Sequence, residues 1–191
     1  MNSKKVSKKT TTCSTINTKT YQKLFFINIK ILVLGRSNVG KSSLINKLFL
    51  KDISFSSKKP GKTQNLEFFL INYNKRDTGF IIDSPGFGYV NGPVILRKKF
   101  KYLIYSYINF GVRLNMILYL INGEYGIKNV DMEELEFLNK FNKKIQIVLT
   151  KVDTLNNIET VQYATQVSNF TKPLINIRKE IFLTSSKYLQ I

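Results

Sequence analysis

The stretch "GRSNVGKSS", residues 35–43, limits the possible folds more than any other part of the chain. It fits G-x-x-x-x-G-K-[ST] with Gly35, Gly40, Lys41 and Ser42. A loop of this kind works only between a strand that delivers its first glycine and a helix that starts near its lysine. Glycines let backbone N–H groups wrap a phosphate chain, and the helix adds its positive end. The flanks agree: "FFINIKILVLG" reads as a buried strand ending at Gly35, and "KSSLINKLFL" as a helix with Leu44 and Leu48 on one face. The phosphate-contacting set is Gly35, Arg36, Ser37, Asn38, Val39, Gly40, Lys41, Ser42 and Ser43. In it Lys41 reaches the β- and γ-phosphates and the Ser42 hydroxyl binds magnesium. The pattern alone leaves an ATPase, a kinase, a GTPase and a passive binder open.

The rest of the chain alternates. "LEFFLINY", "GFIID", "RLNMILYLI", "KIQIVLT" and "EIFLT" read as strands. "VILRKKFKYLIYSYINF", "VDMEELEFLNKF", capped near Asn129 or Asp131, and "NIETVQYATQVSNF" read as helices. Strands that are apolar at nearly every residue imply a mostly parallel sheet covered on both faces, an α/β doubly wound architecture of the P-loop NTPase kind. Residues 24–191 form its one domain; a covering helix expected after the last strand is missing. Residues 1–23 are basic, hydroxyl-rich and acid-free, and read as a disordered tail, either a targeting or nucleic-acid-binding arm or an inert extension. The apolar stretch 103–121 holds Asn109, Gly111, Arg113 and Asn115, so it reads as a helix end, a turn and a strand rather than a membrane span.

Three further segments carry chemistry. In "IIDSPGFG" an apolar strand delivers Asp83 for the magnesium shell, followed by Pro85 and by Gly86, whose N–H meets the γ-phosphate. In "KKPGKTQ" the loop residues Pro60, Gly61 and Lys62 lead to Thr63, placed as a second hydroxyl ligand of the metal. In "IVLTKVD" the Asp153 carboxylate accepts from both guanine N1–H and the 2-amino group, a pair of donors adenine lacks. Thr150 opens that motif, and the Lys151 stem lies against the base. "LTSSK" follows the last strand, with Thr184, Ser185 and Ser186 near the guanine carbonyl.

The order "GRSNVGKSSLIN", "KPGKTQ", "DSPGFGYV", "TKVD", "SSK" resembles the translation-factor-type GTPases, and in detail the EngB family, over about residues 25–187. That resemblance implies binding of GTP and GDP with magnesium, slow hydrolysis, and a role in maturation of the large ribosomal subunit. The chain departs from the family at Asn122 and Glu124, where Asp and Arg are usual, at Thr150 in place of the common Asn, and in lacking the C-terminal helix.

Hydrolysis by such a site rests on positioning and charge neutralisation, so the absence of histidine is no obstacle. Phe87 stands where many GTPases place a water-orienting glutamine. No arginine finger is evident in cis, although Arg36 lies in the loop, so intrinsic turnover is expected near or below roughly 10⁻³ s⁻¹. Asn38 resembles the asparagine that holds potassium in cation-activated GTPases, where the ion replaces an arginine finger; otherwise it only supports the turn. The catalytic set is thus Lys41, Thr63, Gly86 and Asn38, and the metal set Ser42, Thr63 and Asp83.

Net charge is +18, and residues 1–51 carry 11 Lys and Arg with no acid. This favours a polyanionic partner, either nucleic acid or an acidic membrane surface, unless it only reflects a Lys-rich, Asn-rich composition. The resemblance to the EngB family implies that the partner is a large-subunit precursor and its RNA rather than DNA. Arg97, Lys98, Lys99 and Lys101, interleaved with Phe100, Tyr102 and Tyr105, follow the Asp83–Gly88 segment and offer an RNA-contacting face or an ordinary solvated one. The lone Cys13 excludes a disulfide framework and fits a reducing compartment, cytosol or organelle matrix. A monomer is expected. Two other readings stay open: a nucleotide-gated adaptor with little hydrolysis, and a membrane-associated GTPase.

Overall fold

The computed structural model describes residues 7–9, 29–50, 52–54, 65–73, 76–86, 94–110 and 113–185. Among these, strands β1 (Ser7–Lys9), β2 (Ile29–Gly35), β3 (Glu67–Tyr73), β4 (Arg76–Asp83), β5 (Met116–Asn122), β6 (Lys144–Thr150) and β7 (Ile177–Leu183) make one sheet in the order β1-β3-β4-β2-β5-β6-β7. Helices α1 (Lys41–Phe49), α2 (Val94–Phe110), α3 (Asn129–Leu138) and α4 (Asn157–Thr171) cross it. Strands β4, β2, β5, β6 and β7 run parallel, and β3 is antiparallel to β4. The mostly parallel α/β sheet read from the sequence is therefore present.

Burial explains why residues 31–34 of β2 read as an unbroken apolar run. Leu32 and Leu34 face α2, α3 and α4, where Ile104, Leu135 and Val167 join the same core. Val33 faces the other way, into a smaller core with Ile45 of α1. Helices thus lie on both faces, three against one. On the α1 side, near β7, Phe182 is 54% exposed. The described residues contain no helix after β7.

Local signals hold at the helix starts. Asn156 Oδ1 accepts from the Glu159 N–H at 2.8 Å and Glu159 accepts from the Asn156 N–H at 3.0 Å, a capping box that starts α4. Helix α3 begins at Asn129, and the Asp131 carboxylate reaches back to the Lys128 N–H at 3.0 Å. The stretch 103–121 divides into the end of α2 and β5, and no helix among the described residues is long and apolar enough to cross a membrane.

One departure falls in the segment expected to be disordered. Ser7–Lys9 pairs antiparallel with Phe68–Leu70 at the sheet edge. An open edge strand recruits any extended backbone, because its unpaired N–H and C=O groups need no apolar side chain from the partner. The rest of the expected tail lies outside the described residues.

Candidate nucleotide-binding site

All the parallel strands end at one rim of the sheet, and the loops leaving β2, β4 and β6 meet there, the usual place for a ligand in an open α/β sheet. The phosphate loop leaves β2 through Gly35 (φ 147°), turns left-handed at Asn38 (φ 60°) and enters α1 from Gly40 (φ 105°). Asn tolerates that conformation better than most side chains, and Gly40 has no Cβ to strain.

Lys41 is buried, and its ammonium donates to the carbonyls of Gly35 and Arg36, both at 3.1 Å. It is therefore parked on the loop it serves. Burial lowers its pKa to about 8, with Asp83 pulling the other way. A bound polyphosphate supplies the anionic partner that restores the full ammonium. Nucleotide binding should then take up a proton above pH 8, so affinity is flat below pH 8 and weakens as pH rises through it. Titration calorimetry in two buffers of different ionisation enthalpy, at pH 7 and pH 9, reads that proton directly.

Asp83 ends β4 fully buried. Its Oδ2 accepts from Ser42 Oγ at 2.8 Å and from Ser54 Oγ at 3.2 Å, while Oδ1 is buried without a hydrogen-bond partner. Burial pushes the carboxyl pKa up, against the Lys41 charge and the two hydroxyls. One carboxylate and one hydroxyl, both hard oxygen donors, with a buried oxygen left over, suit magnesium, which takes its remaining ligands from phosphates and water. Ser84 Oγ donates to the Val33 carbonyl at 2.7 Å and Ser37 Oγ to the Gly86 carbonyl at 3.2 Å, so the Asp83–Gly86 turn is sewn to the phosphate loop. A Cβ on Gly86 would stand 2.7 Å from Ser37 Cα, which is why the turn takes glycine.

The base side is held as tightly. Thr150 is buried, and its hydroxyl lies 2.6 Å from the Val39 carbonyl and 3.2 Å from that of Ile121. Threonine in place of asparagine thus still ties the base motif to the phosphate loop. Ser185 Oγ donates to Asp153 Oδ1 at 2.5 Å, and the Thr184 N–H to the Leu149 carbonyl at 2.8 Å. Lys151 (φ 56°) places its ammonium 3.7 Å from Glu124 Oε2, so the Glu124 departure supplies an ion pair beside the base motif.

The structure therefore brings together Gly35 to Ser43, Asp83, Pro85, Gly86, Thr150, Lys151, Asp153, Thr184 and Ser185. Pro60, Gly61, Lys62, Thr63, Phe87 and Ser186 lie outside the described residues. The Arg36 side chain turns to α3, where Nε stands 3.2 Å from Asp131 Oδ2 in an ion pair rather than an aligned hydrogen bond. Asp131 also accepts from Tyr119 Oη at 3.3 Å. Next to it, Glu134 accepts from Tyr105 Oη at 2.9 Å and stands 3.5 Å from Lys101 Nζ. Glu134, Asn46 and Ser54 have no motif to announce them, and Asp131 is legible only as a helix-start residue, not as the partner of Arg36.

The chain matches the family model of the 50S ribosome-binding GTPases over residues 30–151. It is 36% identical over 159 residues to the "Probable GTP-binding protein EngB" of Mycoplasmopsis agalactiae, covering 83% of this chain and 79% of the relative. A crystal structure of a probable GTP-binding protein EngB superposes with a TM-score of 0.60 at 24% identity, covering 83% of this chain and 89% of the other. Era solved with MgGDPNP and nucleotides 1506–1542 of 16S ribosomal RNA superposes with a TM-score of 0.66 at 22% identity. That match covers 84% of this chain and 52% of Era, so this chain spans about half of Era's length.

Proposed function

Because the chain belongs to the EngB family of GTP-binding proteins, we propose that it uses its GTPase cycle in maturation of the large ribosomal subunit. The observation that carries the nucleotide reading is the Ser42–Asp83 contact placed beside the buried Lys41, with Asp153 held by Ser185 on the same rim.

The residues divide the reaction between them. Lys41 trades the loop carbonyls for phosphate oxygens and neutralises charge on the breaking γ-phosphate bond. Gly40 and the α1 N-terminus present N–H groups to the phosphates. Asp153 and Lys151 select and cover guanine. Ser42 and Asp83 would hold a magnesium ion, which would supply positive charge to offset that of the phosphates. With Arg36 engaged by Asp131, the loop supplies no arginine to the γ-phosphate, which supports a slow unassisted turnover. Exposed Asn38 is the residue we assign to a potassium ion that raises it. GTP turnover should be faster in potassium than in sodium, and Asn38→Ala should erase the difference; equal rates in the two salts for the unsubstituted chain contradict this role.

The ribosomal contact we place on α2. Lys98 and Lys99 are exposed and Tyr102 is 75% exposed, while Phe100 and Tyr105 pack into the core and Lys101 is tied to Glu134. Lys101 remains exposed beside its pairing with Glu134, and the Arg97 side chain lies outside the described residues. Cations beside an exposed aromatic ring suit an RNA backbone with an unstacked base. Lys98→Glu with Lys99→Glu should weaken co-sedimentation with large-subunit precursors and reduce its salt slope by about two; unchanged binding and slope would show this face to be idle. Cys13 as the sole cysteine, with the basic start, supports a cytosolic or organelle-matrix setting.

A further inference from the structure

We propose that Ser54 is a positioning residue of the magnesium site, holding the Asp83 carboxylate so that its second oxygen is left for the metal. The inference rests on the magnesium–nucleotide reading above. Asp83 Oδ2 takes two hydroxyl hydrogen bonds, from Ser42 at 2.8 Å and from Ser54 at 3.2 Å, and Oδ1 takes none. The two serines are not equivalent. Ser42 is the hydroxyl expected on the metal, so its hold on Asp83 changes when the metal binds. Ser54 is the partner that stays.

Its own placement is fixed by α1, the helix that carries Ser42. The Asn46 side chain accepts from the Ser54 N–H at 2.7 Å and donates to the Ser54 carbonyl at 2.7 Å. It also accepts from the Ile53 N–H at 3.1 Å. One amide therefore grips the Ser54 backbone on both sides, and Ser54 itself is 4% exposed. A hydroxyl this constrained keeps a carboxylate in one rotamer at little further entropic cost.

The test uses the full chain loaded with a fluorescent GDP derivative, measuring its dissociation rate against magnesium concentration. In the unsubstituted protein magnesium slows release. In Ser54→Ala the magnesium concentration for half-effect should rise about tenfold, as expected for one hydrogen bond to a charged group. Release in EDTA should be unchanged, since the phosphate and base contacts are intact. Ser54→Cys, similar in size with a weak donor, should fall between the two, and serves in place of Ser54→Ala if that variant does not fold. An unchanged magnesium midpoint overturns the proposal, as does a rise in release rate as large in EDTA as in magnesium. If magnesium leaves release from the unsubstituted protein unchanged, the magnesium reading itself fails first.

Discussion

Asp153→Asn is expected to lower affinity for GTP and GDP at least about 100-fold and to make the protein accept xanthosine nucleotides. The carboxylate offers two acceptors to guanine, which presents two donors, N1–H and the 2-amino group. An asparagine amide offers one acceptor and one donor, so a donor faces a donor. Two charge-assisted hydrogen bonds at about 1.5–3 kcal/mol each set the scale of the loss. Xanthine carries a carbonyl where guanine carries the amine, and matches the amide. Ser185, which donates to Asp153 Oδ1, can still donate to the amide oxygen. Competition binding with GDP and XDP reads both changes at once. A variant that keeps its GDP affinity would show that Asp153 does not read the base.

The second large effect is on stability. Asp131 is fully buried, and removing its carboxylate strands the Arg36 guanidinium and the Lys128 N–H together and takes one hydrogen bond from Tyr119. Removing one partner of a buried pair costs about 3–5 kcal/mol. For a chain of this size each kcal/mol moves the melting point by about 2–4 °C. Asp131→Ala should therefore melt about 10 °C lower without nucleotide. Asp131→Asn, which can still accept from Lys128 and Tyr119, should lose less. Combining Asp131→Ala with Arg36→Met should recover part of the loss, because the stranded charge is then gone. A melting point unchanged in Asp131→Ala would mean that Arg36 finds its partner elsewhere.

The readable parts of this molecule are those whose information is local. Gly35, Gly40 and Lys41 lie within one loop, and the apolar runs of β2 and β6 announce strands covered on both faces. Asp83 and Asp153 are legible because Asp83 ends an apolar strand and Asp153 closely follows another, both downstream of the phosphate loop. What stayed hidden is held by contacts between distant segments. Asn46 sits mid-helix and looks like an ordinary polar position, yet its amide clamps residues 53 and 54. Ser54 lies in a polar stretch where a buried serine gives no pattern. Glu124 looked like the loss of a family arginine, and the fold turns it into a partner for Lys151. On α2 the charges are legible but the pairing is not: period alone could not say that exposed Lys101 meets buried Glu134.

The central claim is that the nucleotide state of this site governs association with large-subunit precursors. It is tested most directly by sedimenting the full chain with those particles in the presence of a non-hydrolysable GTP analogue, of GDP, or of neither, at fixed magnesium and salt. Co-sedimentation should be strong with the analogue and weak with GDP, and the difference should vanish in Asp153→Asn unless the xanthosine analogue is supplied. Equal co-sedimentation in all three nucleotide conditions would contradict it.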